Sequence, residues 1–370
     1  MDLTPTEEQE DLRAAVRRLL ADKASSEAVR RSIESAAGYD LDLWKRMAGQ
    51  MGLTGLAVPE EFGGAGCGPV ELGVVLGETG RAILPSPFFA TAGLAGQALT
   101  ASGDKDAQAR WLPGIADGSL TTTFALAEEH GGVDLAAVRT RAVTNGAGWT
   151  LSGAKMFVVD GATADLVLVV ARADDELGLF AVEESTGLTR TAPRTLDLTR
   201  RLARLDLDRA PATRVGPAGD AAGYLRHVLD LAVVALASEQ VGGAAACLET
   251  AVEYAKVRVQ FDRPIGSFQA IKHKCADLLL EVEGARSAAQ AAAWTAAADP
   301  DGLPAAAALA GSYCAQAYTH AAKENIQIHG GIGFTWEHDA HLHLKRAKSS
   351  ELLFGTPAAH RARLADLIGI

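Results

Sequence analysis

Cysteine is scarce: 370 residues contain four, and Cys67, Cys247, Cys275 and Cys314 are too widely spaced to form a CxxC pair. This argues against a zinc site or a disulfide framework and for small reduced thiols in a cytoplasmic protein. Positive charge is also short. There are 35 Lys and Arg against 46 Asp and Glu, a formal net charge of -11. Nucleic-acid binding is therefore disfavoured, because neutralising a phosphate backbone needs clustered cations. The start, Met1-Asp2-Leu3-Thr4-Pro5-Thr6-Glu7-Glu8, is acidic and has no apolar core for a secretory signal. One apolar run, Leu229 to Leu248, is long enough to cross a bilayer, but it carries Asp230 and Glu239, which are costly in lipid. A buried helix in a soluble bundle is the expectation, with no integral membrane segment.

Apolar residues make up 48% of the chain and charged residues 22%, so two or three ordinary globular domains are expected. Thr4, Pro5 and Glu7 read as N-cap, first-turn proline and capping-box glutamate of a first helix. Helical spacing continues through Leu12, Val16, Leu19 and Leu20 and returns from Glu71 to Leu84. From about Thr121 the texture becomes short β-like runs punctuated by Asn145-Gly146, Asp160-Gly161 and Thr186-Gly187. Long Ala- and Leu-rich helices then fill Leu225 to Arg258, Ser267 to Ala298, Pro304 to Gln327 and Asp339 to Glu351. The expected plan is α+β and multi-domain: an N-terminal helical domain (1–119), a central antiparallel β-barrel (120–222) and a C-terminal helical bundle (223–370).

Two segments suggest ligand chemistry. Arg258-Val259-Gln260-Phe261-Asp262-Arg263-Pro264-Ile265-Gly266-Ser267-Phe268-Gln269 stands at a helix end, where a guanidinium can fork onto a phosphate or carboxylate. In a bare reading it is equally a surface arginine in a helix connection. Gln327-Ile328-His329-Gly330-Gly331-Ile332-Gly333-Phe334 contains paired glycines, which let a phosphate approach the backbone but also end helices for conformational reasons. His329 reads as a packing or hydrogen-bonding residue. The cluster of His338, His341 and His343 with Glu337 and Asp339 does not share one helix face, so no metal site is expected.

In this order the two segments resemble the C-terminal domain of acyl-CoA dehydrogenases. The resemblance extends to Val58-Pro59-Glu60-Glu61-Phe62-Gly63-Gly64, to Gly153-Ala154-Lys155-Met156-Phe157, and to Ala347-Lys348-Ser349-Ser350-Glu351-Leu352-Leu353-Phe354-Gly355-Thr356. It implies helices, a β-barrel and a four-helix bundle, assembled as a tetramer with FAD lying across a subunit interface. Arg258, Phe261, Gln269, Gln327, Gly330 and Gly331 match positions that reach the FAD of a neighbouring subunit. The implied reaction is α,β-dehydrogenation of an acyl-CoA thioester, with a carboxylate taking the α-proton, hydride passing to the flavin, and electron-transferring flavoprotein as acceptor.

Departures from that pattern gather at the reacting end. Phe354 occupies the position of the family's usual glutamate, and Ala232 the alternative base position on the preceding long helix. The Thr-Glu-Pro-Gly-x-Gly-Ser-Asp motif becomes Ala127 to Asp134, and Trp-x-Thr becomes Phe157-Val158-Val159. These changes remove three hydroxyls and one carboxylate that could hydrogen-bond. Two explanations compete. One is an enzyme whose base has moved to Glu239, on nearly the same helix face as Ala232 and about 10.5 Å further along it, with Glu351 as a weaker candidate. That offset suits a bulky acyl group, although a glutamate paired within the bundle would look the same in sequence. The other is the partner subunit of a heterotetramer, completing the FAD site of a paralogous chain.

Overall fold

The computed structural model describes residues 4–129, 132–144, 146, 148–216 and 218–370. Asn145 of the expected turn, and His130 and Gly131 within Ala127 to Asp134, lie outside the described residues. In the first third the helices are α1 (Glu7–Lys23), α2 (Ser26–Glu34), α3 (Leu41–Lys45), α4 (Pro69–Arg81), α5 (Gln97–Ala101) and α6 (Lys105–Ala116). The cap of α1 is Thr6 rather than Thr4. Thr6 Oγ1 accepts from the Gln9 backbone N–H, and Gln9 Oε1 accepts from the Thr6 N–H. Both Thr-x-x-Glu/Gln spacings fit a capping box. The Gln9 side chain is buried and its amide also donates to Glu71 on α4 at 2.8 Å, so tertiary packing selects the second.

Seven strands follow among the described residues: β1 (Thr122–Ala125), β2 (Arg141–Thr144), β3 (Trp149–Val159), β4 (Leu166–Ala173), β5 (Glu176–Val182), β6 (Leu188–Thr191) and β7 (Leu202–Val215). Pairings run β4–β2–β3–β7–β5 and back to β4, which closes a barrel; β1 adds to β4 and β6 to β7. The ladders are antiparallel except β1–β4 and β2–β4, whose long connections allow parallel pairing. Leu166 to Val170 are wholly buried, as expected for a strand covered on both faces. Two sequence runs, Trp149 to Leu151 and Met156 to Val159, prove to be one strand. Its register shifts after Leu151 and after Lys155 interrupt the alternation that marks a strand in sequence.

The last third contains α7 (Ala222–Val257), the hairpin β8 (Val259–Gln260) and β9 (Arg263–Pro264), then α8 (Gln269–Ala298), α9 (Leu303–His329), α10 (Ala340–Leu352) and α11 (Pro357–Ile368). Helix α7 is long and apolar enough to cross a membrane, yet 94% of its most apolar stretch is buried inside the protein.

Contacts divide the chain into two compact units. One joins Met1–Arg31, Pro69–Leu84 and Val233–Ile370; the other joins Ser32–Gly68 and Pro85–Ala232. In the first, α4 and α7 meet so closely that a Cβ on Gly242 would lie 1.7 Å from the Gly77 carbonyl oxygen. Only glycine allows that approach. In the second, the barrel encloses Leu151, Val167, Val169, Phe180, Val182 and Leu205. Cys247 and Cys314 are fully buried, and burial pushes the Cys314 thiol up to about 12; Cys67 and Cys275 are half-buried.

Candidate functional site

Helix α7 runs out at Val257, and the Arg258 N–H makes one more helical bond, to the Tyr254 carbonyl. The chain then reverses through β8 and β9, with Phe261 (φ 52) and Asp262 (φ 58) as the two loop residues. Both are left-handed, the geometry that a two-residue hairpin loop demands and that a bulky residue resists. Phe261 is 87% exposed, with Phe268 edge-on at 6.1 Å; the Arg263 guanidinium sits over the Phe268 ring at 4.0 Å. Helix α9 ends at His329, and Gly330 (φ +64) breaks the spiral.

A small apolar cluster joins these two places. Ala251, Ala255 and Ile328 form its centre, with Tyr254, Ile265, Ile271 and Cys275 packed around them. The flanks of the arginine corner and of the double-glycine turn therefore share one core. Arg258, Phe261, Gln269, Gln327, Gly330 and Gly331 are all exposed. Among the described residues Arg258 has no ion-pair partner. A Cβ at Gly330 or Gly331 would meet nothing within 4 Å, so the backbone there is open to approach. An uncommitted guanidinium, open backbone and exposed amides suit an anionic dinucleotide.

Glu239 lies elsewhere in the same compact unit and is 4% exposed. Its Oε1 accepts from Arg346 Nη1 at 2.5 Å, and Arg346 is 2% exposed. This is the paired arrangement that sequence could not separate from a free base, because nothing in sequence links Arg346, just before Ala347-Lys348 on α10, to Glu239 on α7. Committed to this ion pair, the carboxylate is not a free one. Ala232 is buried on α7, and Phe354 is half-buried with φ 60. Glu351 is held by Lys348, with Thr319 Oγ1 at 3.5 Å.

In the barrel unit, Ala127, Glu128, Glu129, Gly132 and Asp134 line a cavity of about 350 Å³ together with Val138, Thr140, Gly153 and Ala154. Here sequence reading missed the role of Glu128. Its carboxylate accepts from Lys155 Nζ at 2.8 Å, from the Arg139 and Thr140 N–H groups, and from Thr140 Oγ1. Lys155 is wholly buried and also donates to the Leu126 carbonyl. Burial pushes the Lys155 ammonium down to about 8, partly offset by Glu128. Burial would raise Glu128, but the Lys155 and Thr140 hydrogen bonds prevail and hold it at about 2. The Gly-x-Lys motif thus ties β3 to the loop before β2. Among the described residues no group of three His, Cys, Asp or Glu is arranged to hold a metal.

A helical start, a closed barrel and a helical end define a class of multi-domain α+β protein, and sequence comparison specifies it further. Patterns described as the N-terminal, middle and C-terminal domains of acyl-CoA dehydrogenase match residues 6–119, 123–205 and 219–369. Acyl-CoA dehydrogenase IpdE2 of Mycobacterium tuberculosis is 38% identical over 362 residues, covering 98% of each chain. A solved variant of the Tcur3481-Tcur3483 steroid ACAD superposes with a TM-score of 0.89 at 35% identity, over 98% of each chain. The ChsE4-ChsE5 complex from Mycobacterium tuberculosis gives 0.92 at 30%, over 100% of this chain and 99% of that one. The chain belongs to the acyl-CoA dehydrogenase family, flavoprotein oxidoreductases that act on the CH–CH group of an acyl-CoA.

Proposed function

We propose that this chain is one subunit of a heteromeric, FAD-dependent acyl-CoA dehydrogenase acting on a bulky, steroid-like acyl-CoA thioester. The observation that carries this reading is an imbalance. The exposed corner with Arg258 and the double-glycine turn is intact and open, whereas Ala232 and Phe354 stand where a base would be and Glu239 is bound to Arg346. When bound, FAD takes up the hydride lost from the acyl β-carbon.

In this reading Arg258 pairs with the diphosphate, Gly330 and Gly331 let it approach, and Phe261 covers the adenosine portion. Gln269 and Gln327 supply amide hydrogen bonds. The proton-abstracting carboxylate belongs to a paralogous partner chain, and electron-transferring flavoprotein reoxidises the complex. The kinship with proteins whose names pair two components, one of them a steroid enzyme, supports both the heteromer and the substrate class.

Expressed alone, the chain is expected to purify without FAD. Co-expressed with its paralogue, it yields a yellow complex bleached by acyl-CoA. Arg258→Ala in that complex weakens FAD binding roughly tenfold or more, the worth of a charge-assisted hydrogen bond. The self-sufficient enzyme, with Glu239 as base on the face that carries Ala232, predicts the opposite. The lone chain would hold FAD and turn over substrate, and Glu239→Gln would abolish turnover. That result would replace the heteromer.

A further inference from the structure

The segment carrying Gly330 and Gly331 leaves α9 at His329 and re-enters helix at Ala340. Its two ends carry histidines that touch. The His329 and His338 rings lie 4.2 Å apart, centroid to centroid, and Tyr254 of α7 stacks on the other side of His329, also at 4.2 Å. Hydrogen-bond partners fix both tautomers. His329 Nδ1 faces the Asn325 carbonyl at 2.8 Å, so it donates. His338 Nδ1 lies 3.1 Å from the Ala340 backbone N–H, so it accepts.

That second bond fills a gap. Asp339 is the N-cap of α10 but makes no side-chain cap. Its carboxylate is engaged instead by Arg30 at 2.5 Å and by Ser26 at 2.8 Å. The first N–H of α10 is therefore met by the imidazole of His338, two residues earlier, an i to i+2 contact like that of an Asx turn.

We infer that His338 is a positioning residue whose neutral imidazole clasps the base of the double-glycine turn, so that this turn is held in shape at neutral pH and released by acid. The inference rests on the reading of that turn as part of the FAD site. Protonation at Nδ1 would turn the acceptor into a donor facing another N–H. It would also place a cation at the positive end of α10 and beside Arg30. Among the described residues, the charged and titratable groups coupled to the ring are Arg30 from α2, Asp339 at the cap, His329 from α9, and His341 and His343 from α10. Arg81 and Glu249 line the same cavity as His338. Burial lowers the proton affinity of both His338 and His329, with Arg30 adding to the effect on His338 and Asp339 opposing it.

Two substitutions separate the clasp from mere packing. His338→Asn keeps an acceptor for the Ala340 N–H and removes the titration. His338→Phe keeps a ring against His329 and removes the acceptor. Hydrogen exchange of the full chain reads amide protection of Gly330 to Phe334 and of Ala340, corrected for intrinsic rate, from neutrality to about pH 5. Wild-type protection is expected to fall as pH is lowered, whereas His338→Asn falls less, by only what His341 and His343 contribute. At neutral pH His338→Phe is less protected by roughly fivefold, the worth of a lost cap of about 1 kcal/mol, and the gap closes as acid releases the wild type. A His338→Asn curve that falls like the wild type, or full protection in His338→Phe, would overturn the inference. FAD retention by the two-chain complex is read across the same range and is expected to follow the wild-type exchange curve. Exchange that behaves as expected beside FAD retention indifferent to both variants would instead remove the turn from the cofactor site.

Discussion

Glu239 and Arg346 are each nearly sealed from water, and a lone charge in either place would be costly to bury. Glu239→Ala is therefore expected to destabilise the fold by about 3–5 kcal/mol in urea titration, because Arg346 stays behind without this partner. Joint replacement, Glu239→Met with Arg346→Leu, should recover most of that loss. Asp262 tests a different term. Its φ of 58 is one glycine adopts freely, so Asp262→Gly should raise stability by about 0.5–1 kcal/mol, read as a higher melting temperature. Sequence displayed Glu239 clearly but not its counter-ion. The two are far apart along the chain, and no periodicity links α7 to α10.

Between elements, the α4–α7 crossing depends on Gly77 and Gly242. Gly242→Ala would force a methyl into the opposing backbone, and a loss of about 1–3 kcal/mol or more is expected on denaturant unfolding. Helix α10 adds an acid sensitivity. Burial pushes His343, bonded to the Tyr318 hydroxyl, down to about 3, and His341 down to about 4. Both folded values lie below the ordinary 6.5, so the unfolded chain binds the protons first. Stability is complete above 6.5 and drains as pH falls from there toward about 3. Glu128 follows the same sign lower down, from 4.5 toward about 2. Urea midpoints measured against pH should thus begin to drop before any carboxylate titrates. The long helices were legible because their 3.6-residue pattern persists over many turns. The four-residue β6 gave too short a signal, α11 has a weak apolar stripe, and the bulges in β3 masked a continuous strand.

For the molecule as a whole, the proposed heteromer makes cofactor retention a matter of mass action. Diluting the complex should release FAD and separate the two chains over the same concentration range, which fluorescence and sedimentation would follow together. The exposed corner proposed to face the cofactor could be picked out in sequence because its residues sit in two contiguous segments. That they share a core around Ile328 was not, since only folding brings α7, α8 and α9 together there. The reacting end was legible mainly as substitutions, Phe354 and Ala232, which say what has gone without saying what replaces it.

The uneven burial of the four thiols offers an experimental handle. Cys247 and Cys314 are shut inside helices' contacts, out of reach of a maleimide, while Cys67 and Cys275 retain some access. These two fall in different compact units. Native chain could therefore accept one dye in each half with no mutagenesis, and fading reactivity at Cys275 alone would time the docking of a second subunit against the helical half.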